Sequence, residues 1–159
     1  MASEDSYKSL TLQRPLRSVV MVQGLPPSLG RVKVNIDGSV KLINGLASAG
    51  GLIRNTEGSW LFGFTHKLGS CSPLGAEFWG VLDGLRLAWD KGTKAPIARH
   101  WSITCTHACR EANVCADWSA ELAHDSTLEV NILDCLPADL LQLLLGDALG
   151  VGRLRNAVI

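Results

Sequence analysis

The chain lacks any long apolar run. Leu140-Leu141-Gln142-Leu143-Leu144-Leu145 is its most hydrophobic stretch, far short of the ~20 residues a membrane-spanning helix needs, so no membrane partner is expected. It lacks the basic start and apolar core of a secretory signal, opening instead on Met1-Ala2-Ser3-Glu4-Asp5. The expectation is an intracellular protein, nuclear or cytoplasmic, whose five cysteines are reduced thiols. It also lacks net charge, with 15 basic residues against 15 acidic ones. That excludes strong overall attraction to phosphate, although a local basic patch remains compatible with it. Internal repeats and low-complexity tracts are absent.

What is present suits one domain. The 159 residues are 47% apolar and 19% charged, enough for one real core. Residues 1–30 read as a flexible tail ending in Gly24-Leu25-Pro26-Pro27-Ser28-Leu29-Gly30. Residues 31–149 form the domain, and 150–159 are expected to be loose. Val19–Val22 is a candidate extra strand.

Val32, Val34 and Ile36 alternate with Lys33, Asn35 and Asp37, which predicts a strand over 32–37. Asp37-Gly38 then marks either a turn or a site. Two further aromatic or small-residue runs around Asn55-Thr56-Glu57-Gly58 complete an antiparallel meander over 32–65. Ser72 and Pro73 open a helix over 72–90. Leu74, Phe78, Val81, Leu82, Leu85 and Trp89 make one stripe on it, with Glu77 at its flank. A strand is expected over 99–107 and a helix over 112–123, on which Asn113, Asp117 and Glu121 share a face. Pro137–Leu149 reads as a docking apolar helix. The order gives an α/β fold with a mixed sheet, its first helix a crossover.

These segments together resemble the ribonuclease H type 1 family, in its plant, retroelement-derived, reverse-transcriptase-associated branch. The resemblance rests on Lys33-Val34-Asn35-Ile36-Asp37-Gly38-Ser39, Ala49-Gly50-Gly51-Leu52-Ile53-Arg54, Ala76-Glu77-Phe78-Trp79, Arg110-Glu111-Ala112-Asn113 and Ala116-Asp117-Trp118. It implies RNA–DNA hybrid hydrolysis by two divalent cations, Mg²⁺ or Mn²⁺, about 4 Å apart. It also implies roles: Asp37 bridging both cations, Glu77 and Asp117 each binding one, and Gly38, Ser39, Asn113 and Arg110 contacting substrate.

The chain departs from that family in two places. One strand with a further catalytic aspartate, and the helix after it, are missing between Lys91 and Arg99. The bacterial flexible-loop histidine has no match, Arg110-Glu111 standing in its region. Residues 99–107 are therefore expected to slide beside 32–37, bringing Thr106 or His107 to the lost aspartate's place, and activity is expected to be impaired. Three alternatives stand beside this. Cys105, His107, Cys109 and Cys115 have zinc-ligand chemistry, but alternate strand residues lie about 6.6 Å apart, awkward for one tetrahedral ion. Trp60, Trp79, Trp89, Trp101 and Trp118 could serve a non-catalytic nucleic-acid or protein module by stacking, or simply fill the core. The chain could also be a decayed retroelement fragment with no selected function.

Overall fold

Alternation of β-branched and polar residues does produce the strands expected of it. In the computed structural model, which describes residues 17–22, 25–92, 103–126, 130–149 and 151–158, the elements are β1 Arg17–Val22, β2 Lys33–Val40, β3 Leu46–Arg54, β4 Trp60–Ser70, α1 Pro73–Asp90, α2 Val114–Ala123, β5 Val130–Leu133, α3 Ala138–Ala148 and β6 Arg153–Val158. A 3₁₀ turn at Arg110–Ala112 precedes α2. The β2-β3-β4 meander is the predicted one. Asn55 closes its second turn, its Oδ1 accepting from the Glu57 and Ser59 amides.

The described main sheet is antiparallel throughout, in the order β2-β3-β4-β5. Two expectations are corrected. Residues 103–109 carry no regular structure, so the strand predicted over 99–107 does not form at 103–107; residues 99–102 lie outside the described ones. β2 therefore has β3 on one side and no strand on the other among the described residues. The C-terminus is not loose: β6 pairs with β1, Arg17 opposite Val158 and Val22 opposite Arg153.

Side-chain alternation splits the sheet's two faces between helices. Val34, Ile36, Ile53, Phe62 and Phe64 pack with Leu87 and Ala88 of α1. On the other face Leu52 packs with Cys115 and Ala116 of α2 and with Leu140 and Leu144 of α3. The result is three layers, a helix on one face and two on the other. Burial of Leu140 and Leu144 contributes about 1.5–3 kcal/mol each and docks α3 as predicted.

The stripe on α1 points outward. Leu74, Phe78, Leu82 and Trp89 are exposed, while Ala76, Gly80, Asp83, Gly84, Leu87 and Ala88 are buried. The sheet already fills this space with Val34, Ile36 and Phe64, so the helix can approach only through its small residues. Asp83 in that face bonds His66 Nδ1 of β4 at 2.5 Å, and the His66 ring meets Trp79 edge-on at 5.6 Å.

A polar network crosses the opposite face. Asp147 of α3 meets Arg153 Nη1 at 2.9 Å and Arg54 Nη1 at 3.6 Å. Arg54 Nη2 donates to Asn35 Oδ1 at 2.8 Å, and Asn35 Nδ2 donates to Asn113 Oδ1 at 2.9 Å. The Asp147 side chain is 1% exposed and that of Arg54 3%. Removing one partner of so buried a pair leaves a charge with neither water nor counter-ion. Asp147→Asn should cost about 3 kcal/mol, seen as a lower urea midpoint at unchanged denaturant slope.

Candidate functional site

Three acidic residues from three elements approach one another beside the flank of β2 that has no strand among the described residues. Asp37 comes from β2, Glu77 from the second turn of α1 and Asp117 from the first turn of α2. Asp117 and Glu77 lie within electrostatic reach of Asp37. Burial first, then Asp117 and the charge of Glu77, push Asp37 up to about 7, against a smaller opposing influence of the Gly38 amide.

Two glycines make the convergence possible. A Cβ on Gly38 would lie 2.7 Å from the Glu77 amide nitrogen, so only glycine lets α1 bring Glu77 this near to β2. A Cβ on Gly50 of β3 would overlap the backbone of Ser119 and Ala120, so α2 can lie flat on the sheet. Ser48 Oγ fixes it there by donating to Ala120 O at 2.7 Å.

Asn113 sets the start of α2. Its Nδ2 donates to Ile36 O at 2.7 Å and its Oδ1 accepts from Asn35. Both ends of the amide are thus used on β2, and the residue, only 8% exposed, braces the site. Arg110, in the 3₁₀ turn just before, donates from Nε at 3.0 Å and Nη2 at 2.8 Å to Asp117 Oδ1. Asp117 raises its pKa further. Ser39 donates to Glu121 Oε1 and bonds His124 Nε2 at 3.1 Å. Burial, then Lys41, hold His124 below the usual histidine range.

The structure thus brings together Asp37, Glu77, Asp117, Gly38, Asn113 and Arg110, with Ser39 one step along β2. Glu121 and His124 were not singled out as site residues; the shared helix face of Asp117 and Glu121 was the available signal. A groove of about 1170 Å³ leads away from the acids along β2, lined by Asp37, Glu77, Val81, Leu85 and residues 103–108. Thr106 and His107 line it, outside any strand. The carboxylates are the hard oxygen donors that Mg²⁺ or Mn²⁺ takes, so the donor set fits such a cation. As they stand, no group of three or more His, Cys, Asp or Glu side chains among the described residues is arranged to hold a metal ion; Arg110 occupies Asp117. Of the thiol set, Cys105 is exposed, whereas Cys115 is on the buried face of α2 and its thiol is pushed up to about 12, by burial first and then by Asp147.

A family model described as reverse transcriptase-like matches residues 35–99, which include Asp37 and Glu77 but not Asp117. An Arabidopsis thaliana protein named "Putative ribonuclease H protein" is 33% identical over 171 residues, covering 86% of this chain and 27% of the relative. The chain therefore spans about a quarter of that relative's length. The aligned length exceeds the 159 residues present here, so the relative carries residues with no counterpart in this chain. No solved structure matches.

The raised Asp37 has a stability consequence. Its folded pKa lies above its unfolded one, so the folded state holds the extra proton between about pH 4 and 7. Stability should fall as pH rises through that window. Asp37→Asn removes the penalty: its melting temperature should exceed wild type at pH 8, the difference shrinking toward pH 4, in thermal melts without divalent cations.

Proposed function

We propose that this chain carries a ribonuclease H-like domain, in keeping with the family-model match and the relative, whose site grips the backbone of an RNA–DNA hybrid and cuts the RNA strand weakly, using Mg²⁺ or Mn²⁺. The observation that carries the reading is the approach of Asp37, Glu77 and Asp117 from three elements, near enough that the two neighbouring acids add to burial in raising Asp37. We assign the domain to residues 31–149 and its ancestry to a retroelement, in keeping with the reverse transcriptase-like match.

Asp37, Glu77 and Asp117 are the residues that would hold the cations. Bound there, divalent cations would activate water and stabilise the leaving oxygen. This chain's own residues do the rest. Asn113 and Gly38 keep the acids in place, and the groove beside β2 sets one wall of the substrate path. Weak turnover follows from the missing acid: β2 has no strand on its outer side among the described residues, and Thr106 and His107, which line the groove there, bring no carboxylate.

A second reading has an observation behind it. Arg110 already neutralises Asp117, and that favours a module that binds nucleic acid or protein without cutting.

A labelled RNA–DNA hybrid incubated with 5–10 mM Mg²⁺ or Mn²⁺ separates the two readings. Slow RNA cleavage by wild type, reduced to background in Asp37→Asn, supports the enzyme. Equal signals from both proteins remove it. Retained hybrid binding in a gel-shift assay would then leave the binding module.

A further inference from the structure

We infer that Arg110 is the built-in counter-cation of the acid cluster, seated on Asp117 where an incoming divalent cation must displace it, so that it sets how much metal the site requires. The inference rests on the acid cluster being a cation site, as proposed above.

Four observations support it. The guanidinium places two N–H donors on a single oxygen, Asp117 Oδ1, at 3.0 and 2.8 Å. The charges of Asp37 and Glu121 reach it as well as that of Asp117. It lines the same groove as Asp37 and Glu77. Its backbone is fixed, because Arg110 O accepts from the Asn113 amide at 2.9 Å, which ties the arginine to the residue that places α2.

A guanidinium cannot lose its proton. It can leave Asp117 only by rotating away, and the geometry allows that. The Arg110 side chain is 74% exposed, that of Asp117 28%. An exposed ion pair is weak enough for a small, doubly charged competitor to break. Two of its five N–H donors, Nε and one on Nη2, are engaged by the Asp117 carboxylate. Once displaced, the arginine would be released toward solvent beside the acids.

The test is Mn²⁺ binding at pH 7.5, read by water-proton relaxation and by calorimetry, on wild type, Arg110→Gln and Asp37→Asn. Arg110→Gln should bind Mn²⁺ about fivefold more tightly than wild type, and Asp37→Asn should bind it more weakly. Circular dichroism should show the same fold in Arg110→Gln, since the side chain is exposed. Equal or weaker Mn²⁺ binding in Arg110→Gln, with wild type binding normally, overturns the inference and leaves the cation site standing. Loss of hybrid binding in EDTA by Arg110→Gln, with Mn²⁺ affinity unchanged, also overturns it and makes Arg110 a phosphate contact. If neither wild type nor Arg110→Gln takes up Mn²⁺, the cation site itself fails and the inference falls with it.

Discussion

The side-chain amide of Asn113 is the joint on which the site depends. It bonds the Ile36 carbonyl on one side and Asn35 on the other, and so ties the start of α2 to the strand that carries Asp37. Asp117 lies one helical turn later, which makes its position a consequence of that joint. The joint is reinforced from behind, since Asn35 is held by Arg54 and Arg54 by Asp147. These groups are buried, and each bond left unmade there costs about 1–3 kcal/mol. A C-terminal helix far along the chain therefore contributes to where an acid at the start of α2 points.

The second constraint is the flank of β2 that has no strand among the described residues. Glu77 and Asp117 belong to helices on opposite faces of the sheet. They can reach one point only around an edge, and only if nothing bulky intervenes. Gly38 clears the path for α1, and Gly50 lets α2 lie close. The same edge weakens the site, because the flank beside Asp37 is a groove where a strand bearing another acid is expected by resemblance. The cluster stands as three carboxylates with one arginine among them. Burial and then the neighbouring acids raise Asp37, and Arg110 offsets the charge of Asp117.

Much of this was readable in residue order. Val32, Val34 and Ile36 alternate, so β2 and its core-facing side were legible, as were the Asn55 turn and the Ser72-Pro73 start of α1. Asp37, Glu77 and Asp117 stood out through the family resemblance of the segments that carry them; by itself Asp37-Gly38 read more readily as a turn. The large stripe on α1 misled. Leu74, Phe78, Leu82 and Trp89 are the most hydrophobic positions, yet Ala76, Gly80 and Gly84 face the sheet, because contact distance rather than hydrophobicity selects the face. Residues 103–107 alternate like a strand, but alternation records a side-chain pattern and cannot supply a partner. The C-terminal strand was missed because its partner, Arg17–Val22, lies more than 130 residues earlier.

The sequence by itself determined which segments become strands and helices, and which acids are available for chemistry, because those depend on local periodicity and residue type. Tertiary structure alone decided which helix face is buried, that β2 has no second strand neighbour among the described residues, that Asn113 is a brace, and that Arg110 rests on Asp117. Each of these is a contact between residues distant in the chain or on different elements, where packing distance and buried hydrogen bonding choose among arrangements that local pattern leaves equal.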